Sequence, residues 1–414
     1  MTLVKLLPAV LRVGTPTPFA LRDETGEMVV PRGTVVTTEE EMSQITSRDL
    51  YVDEEDADAM NSAVAGTPDA LDAPDAVTQQ TPPTAPVVAA PADSRGTATP
   101  AKPPSRHLSD PVNAWLNLHL RTSAVLRDHS QPHFEARTMQ LQASVLELLD
   151  SDPDVALLLL VNGSINDLHE YSVRHALLTT VICELAARHV PGWVPEWQTS
   201  LRCAALTMNV AMTQLQNQLA MRDLPVSTLQ RTQIEQHPQA GADCMRAAGV
   251  KDELWLGAVE RHHDSPPGPM ANLPAAQQLA RLIQRADIFA ARMSARKRRP
   301  AMSANAAAKA AYLDENQQPD EAGSAIIKAT GLYPPGSLVR LRCGEVAVVL
   351  RRGLRTTEPV VATIVNASGN VLGTPSLRET RLPAFEVTGG AAPHEVKVRL
   401  DLERLVKLVR ITDG

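Results

Sequence analysis

The hydrophobic pattern of this chain changes period abruptly near residue 109, and that change decides what it can build. Ser109-Asp110-Pro111 reads as a cap followed by proline at the first helical position. From there apolar residues recur at helical spacing, as in Leu279, Leu282, Ile283, Ala286 and Phe289. The spacing predicts helices over about 111–128, 134–150, 153–161, 171–189, 196–213, 227–247, 252–264 and 274–294. Aromatic residues are only 3% of the chain while hydrophobic residues are 43%, so the helices must pack an aliphatic core.

Both flanks read differently. In 1–53, Phe19 and Leu21 alternate with polar neighbours, Asp23-Glu24-Thr25-Gly26 supplies a turn, and Met28 and Val30 alternate again. Val35-Val36 resumes the run, Thr38 and Glu41 fit a capping box for a short helix, and Leu50-Tyr51-Val52 suits a last strand. Residues 1–53 are therefore expected to form a small β module. Residues 54–108 hold nine prolines between Met60 and His107, with no aromatic residue and no isoleucine there. Such a segment cannot bury enough apolar area to offset its ordering entropy, and a disordered linker is expected. Residues 109–329 form the helical domain. In 330–414, strands are expected at Leu338–Leu341, Glu345–Leu350, Pro359–Val365 and around Val396, Val398 and Leu400, with a final helix near 401–408. The fold class is mainly α, with a C-terminal β sub-domain.

Formal charge is −7, which excludes a generally basic, nucleic-acid-coating surface. The charge is unevenly placed. Glu39 to Asp75 holds twelve acidic residues against one basic residue, Arg48, whereas Arg281 to Arg299 holds seven basic residues against Asp287. Cys183, Cys203, Cys244 and Cys343 form no CxxC pair, which fits thiols in a reducing compartment rather than a thiolate zinc site. The first residues make a poor signal peptide. The longest apolar run, Val155 to Val161, is far short of the roughly 20 residues a membrane span needs. A cytoplasmic chain is expected.

Chemistry concentrates in the helical domain. His175, His237, the pair His262-His263 and Asp287 fall on separate predicted helices or their ends. Bundles build metal sites from such clusters, and mixed imidazole and carboxylate donors suit Fe, Mn or Zn better than Ca. Taken singly, a helical histidine is ordinarily a satisfied structural residue. The basic stretch has two readings as well: a solvated helix end near the C-terminal dipole, or a phosphate-binding rim of Arg296, Lys297, Arg298 and Arg299.

Several stretches taken in order resemble one family. They are Glu170-Tyr171-Ser172-Val173-Arg174-His175, Leu201 to Met212, Ile234 to Ala242 with His237-Pro238, Arg261-His262-His263-Asp264, Ile283 to Ala291 with Asp287, and Tyr333 to Leu341. Together, over about 165–350, they resemble HD-GYP domains, the cyclic-di-GMP phosphodiesterase branch of the HD-type metal-dependent phosphohydrolases. The resemblance implies an HD-type helical bundle, with metal ligands at His175, His237, His262, His263 and Asp287. It also implies cyclic-di-GMP or another nucleotide as ligand, and bacterial signalling as the role.

Where the family has its His-Asp pair, this chain has Met208 and Asn209, and Met212 stands where the family's phosphate-contacting lysine would be. The loop after His263 lacks the Gly-Tyr-Pro signature. Met208 has no basic nitrogen, and the neutral Asn209 amide cannot hold two cations close together. A two-metal site clamps attacking and leaving oxygens and acidifies a bound water. The expectation is a degenerate domain whose remaining donors hold one divalent metal or none. It would act by binding a nucleotide, or a protein partner through the β modules. The alternative is an active cyclic-di-GMP phosphodiesterase with an altered metal site.

Overall fold

In a computed structural model, the described residues are 110–412 except 315 and 397, together with 3–6, 17, 20–23, 26–38, 40, 41, 45 and 50–53. The expected linker, 54–108, lies outside them, as do Phe19, Glu24 and Thr25 of the expected first hairpin.

The N-terminal strands are β1 (Leu3–Leu6), β2 (Leu21–Arg22), β3 (Met28–Val30) and β4 (Leu50–Asp53). They form an antiparallel sheet in the order β1-β4-β2-β3, with Leu21 opposite Val30 and Leu6 opposite Leu50. Leu21, Val30 and Leu50 are its buried side chains. Three details depart from the pattern. Leu3–Leu6 is a strand, Val35 makes only an isolated bridge, and Glu41 closes its cap on Thr37 while its own amide bonds the Thr38 hydroxyl (3.2 Å).

Helices follow as α1 (Pro111–Arg127), α2 (Phe134–Ser151), α3 (Pro153–Asn166) and α4 (Tyr171–Ala187). Asp110 accepts from the Asn113 amide and Asp152 from the Asp154 and Val155 amides, so both prolines sit in capped first turns. Every residue of α4 is buried. A helix enclosed on all sides is a core helix, and α4 packs against α1 and α3. Burying a Leu such as Leu177 or Leu178 stabilises by about 1.5–3 kcal/mol.

Next come α5 (Pro195–Thr207), α6 (Thr213–Met221), α7 (Thr228–Ala247), α8 (Glu253–Arg261) and α9 (Ala275–Met293). The single helix expected over 196–213 is broken: after Thr207 the chain runs through Met208 and Asn209 into a short 3-10 turn, Val210–Met212. The Ser227–Gln230 capping box starts α7. Three helices escaped the periodicity: α6, α10 (Ala304–Tyr312) and α11 (Glu321–Thr330).

Beyond them, β5 (Leu338–Leu341), β6 (Val346–Arg351), β7 (Val360–Val365), β8 (Val371–Glu379) and β9 (Val387–Ala391) form an open antiparallel sheet ordered β8-β7-β6-β5-β9. The strand expected around Val396, Val398 and Leu400 does not form. Those side chains pack on the core without a ladder, and the edge position beside β5 is taken by β9. The last helix, α12 (Leu402–Ile411), packs on α3 and β6. The sheet is tied to the helices by Arg352, whose Nε bonds the buried Asp154 carboxylate at 2.5 Å. The chain leading into it passes close to α3 at Gly336, where φ is +89° and an added Cβ would strike the Leu158 carbonyl at 2.7 Å. Among the described residues no helix is long and apolar enough to cross a membrane.

Candidate metal centre

His237 lies inside α7, His262 caps the end of α8, and His263 follows it. His237 and His262 are buried; His263 is exposed. Their candidate ligand atoms all lie within 4.8 Å of one another. Two backbone contacts fix the chemistry. His237 Nδ1 lies 2.5 Å from the Ile234 carbonyl and His262 Nδ1 lies 2.6 Å from the Val259 carbonyl, each three residues back on its own helix. A carbonyl only accepts, so both Nδ1 atoms carry the proton and both Nε2 atoms present bare lone pairs in the neutral rings. Those Nε2 atoms face each other at 3.1 Å.

Two lone pairs at that distance repel unless a cation sits against them. A proton is disfavoured there. Burial pushes the His237 pKa down to about 4 and that of His262 to about 3, with the neighbouring histidine charges adding to the effect. The arrangement fits a metal ion. Neutral imidazoles are oriented by second hydrogen bonds, as metal-ligating histidines usually are.

On the opposing side, His175 on the buried α4 and Asp287 on α9 meet at 2.6 Å, His175 Nε2 to Asp287 Oδ1. Burial alone would raise the Asp287 pKa. The His175 hydrogen bond and the charges of His175, His262 and His263 outweigh it and hold the carboxyl well below its ordinary range. The Asp287 carboxylate charge slightly offsets the fall in the His237 and His262 pKa values. His175 Nδ1 is buried without a partner. Of the five residues expected as ligands, the structure groups His237, His262 and His263, while His175 and Asp287 form a pair of their own.

Met208 ends α5 with its side chain in the apolar core, and Asn209 is half-buried beside it. The Met208 carbonyl and the Val210 side chain lie against Gly241 of α7. The turn with Met208, Asn209 and Met212 therefore packs on the His237 helix but brings it no imidazole or carboxylate.

Arg296 to Arg299 form a tight turn after α9. Its four basic residues are not equivalent. Arg296 lies over the Tyr171 ring (4.7 Å to the centroid) and donates to its hydroxyl at 2.9 Å, while Tyr171 stacks on His175. Arg299 bonds the Ala291 carbonyl, Lys297 pairs with Asp223 at 2.9 Å, and Arg298 is exposed. Burial and the charges of Arg296 and Arg292 pull the Arg299 pKa down, the mark of cations crowded together. Farther back, Arg281 and Arg285 pair with the fully buried Asp320 at 2.8 and 3.4 Å, so they serve the core.

Sequence reasoning passed over Glu170. It precedes α4 at φ +48°, and its carboxylate receives His119 Nε2 (2.8 Å), Ser123 Oγ (2.8 Å) and Arg127 Nη2 (3.1 Å). Burial works against ionisation, but these partners bring its pKa down to about 2. It pins the start of the helix that carries Tyr171 and His175. Its place at the head of the quoted His175 stretch was the available signal.

No family model and no curated protein matches the chain. Among solved structures it is similar to Bd1817, an HDG"Y"P protein from Bdellovibrio bacteriovorus. The TM-score is 0.47 at 10% identity, over 79% of this chain and 99% of that one.

Proposed function

We propose that this chain is a signalling module that holds one divalent metal, Fe, Mn or Zn, on His237, His262 and His263, with the His175–Asp287 pair completing the site. It binds a nucleotide phosphate there and is impaired as a hydrolase. The carrying observation is the pair of bare Nε2 atoms at 3.1 Å, each with its Nδ1 committed to a carbonyl. When bound, the metal supplies Lewis acidity and orients an anionic oxygen. The chain's own residues do the rest. Ile234 and Val259 fix the tautomers, and Asp287 orients His175. Arg296 and Arg299, crowded and positive, offer guanidinium forks to phosphate oxygens. Met208 and Asn209 provide no carboxylate to bridge a second ion, and Met212 offers no cation to the phosphate.

The nucleotide class, cyclic-di-GMP foremost, comes from the family resemblance of the motifs. Incubating the full chain with cyclic-di-GMP and Mn or Fe should show binding by calorimetry and no linear product by chromatography. Turnover comparable to that of an intact HD-GYP phosphodiesterase would overturn the impaired reading in favour of an active enzyme with an altered site.

A further inference from the structure

A cleft of ≈ 380 Å³ opens between the end of α1, the turn after α5, and the helices α6 and α7, the last of which also carries His237. That volume falls within the roughly 300–1,000 Å³ usual for small-ligand sites. Its lining is mostly polar yet contains no carboxylate. Gln214 and Gln218 stand one turn apart on α6, and Gln233 faces them from α7. None of the three carboxamides takes part in a side-chain hydrogen bond among the described residues, unlike Gln230 or Gln278 nearby. Arg127 and His129 border the cleft, and the one carboxylate between them in sequence, Asp128, is engaged by Ser130 and Gln131.

The cleft is held in fixed relation to the metal donors. Gln233 precedes His237 by one helical turn, so both lie on one face of α7. Asn217 of α6 accepts the Ser172 amide at 2.8 Å, which ties α6 to the start of the His175 helix. At its far end α6 meets the basic turn, where the Lys297 amide donates to the Ala220 carbonyl at 2.8 Å. One short helix thus spans the distance from the cleft to Arg296–Arg299.

A group of uncommitted carboxamides, each both donor and acceptor, with no negative charge, suits a planar neutral heterocycle that has donors and acceptors on its edge. Glutamine meets purine edges in this way elsewhere. We infer that this cleft is a nucleobase subsite, in which Gln214, Gln218 and Gln233 read the base of a nucleotide whose phosphate lies at the metal and the basic turn. This rests on the function proposed above and adds to it the part of the ligand that is recognised.

The test uses the full chain with Mn supplied and four probes, AMP, GMP, ribose 5-phosphate and inorganic phosphate, titrated calorimetrically. At least one of the two nucleotides should bind on the order of tenfold more tightly than ribose 5-phosphate. Gln218→Leu with Gln233→Leu should abolish that preference while leaving phosphate affinity and Tm unchanged; both residues are exposed, so the variant should fold. Gln233→Glu should weaken nucleotide binding further by adding an unpaired charge. Equal affinity for nucleotides and ribose 5-phosphate, or a preference that survives the double variant, overturns the base subsite and leaves the metal and phosphate site standing. Absence of binding by phosphate and nucleotides alike overturns both.

Discussion

The two sides of the candidate centre present different chemistry. On the α7–α8 side, His237 and His262 are buried, their tautomers are set by carbonyls of their own helices, and their free nitrogens converge. On the α5 side, the turn offers no such donors: Met208 sits in the core, and Asn209 and Met212 bring no charge. Burying two imidazoles with opposed lone pairs is costly unless something fills the gap, whereas burying a methionine is favourable by itself. The first side therefore still bears the mark of a ligand, and the second reads as ordinary packing.

That contrast can be broken most sharply at His262. His262→Ala removes a fully buried donor and should lower metal affinity by at least roughly 100-fold, while Asn209→Ala should leave it unchanged. Competitive titration with a chelating dye measures both. Equal losses would erase the distinction between the sides.

The next test adds donors to the α5 side. Met208→His with Asn209→Asp should raise metal content from one ion per chain to two by elemental analysis. It should also lower stability by about 1–3 kcal/mol, because the new ring enters an apolar position. Unchanged metal content would mean that this side has drifted in geometry as well as in residue type.

A smaller effect concerns pH. In the metal-free protein, burial holds the His237 and His262 pKa values at about 4 and about 3, below the ordinary histidine value of 6.5. Between those values the unfolded chain binds protons that the folded chain refuses. Stability conferred by the neutral rings is therefore full above about 6.5 and is lost as pH falls toward 4 and then 3. The slope is at most about 1.4 kcal/mol per pH unit for each ring. The melting-temperature gap between metal-free wild type and His262→Gln should be constant above pH 6.5 and shift against the wild type as pH falls from 6.5 toward 3. Parallel curves would place the histidines' burial elsewhere in the balance.

The smallest effect belongs to the outer part of the basic turn. Lys297 is paired with Asp223 and Arg298 is exposed, so replacing both by Ala should weaken nucleotide binding only a few-fold, and the effect should shrink with added salt. Arg296→Ala should cost more, because it also removes the cover over Tyr171.

Much of the helical architecture was legible because caps and apolar spacing coincide, as at Asp110-Pro111, Asp152-Pro153 and Ser227 with Gln230. What escaped had physical reasons. The α10 helix is nearly all alanine and offers no periodic contrast. The β8 strand is exposed, contains Pro375 and lies at a sheet edge, where a missing amide is tolerated. The β9 strand contains Gly389-Gly390, because a side chain at 390 would strike Asn305 and Ser303. At the site, the clustered histidines His237, His262 and His263 could be read from motif order. Their tautomers could not, since those depend on carbonyls that every residue possesses. The role of Arg296 was also hidden, because its stacking on Tyr171 joins positions 125 residues apart.

X-ray absorption at the metal edge of the zinc-loaded full chain tests the central claim most directly. The account predicts a first shell of nitrogen and oxygen at about 2.0–2.1 Å with the outer-shell scattering of three imidazoles, lost together with the bound metal in His262→Ala. Zinc bound without imidazole scattering, or an equal signal from the variant, would contradict it.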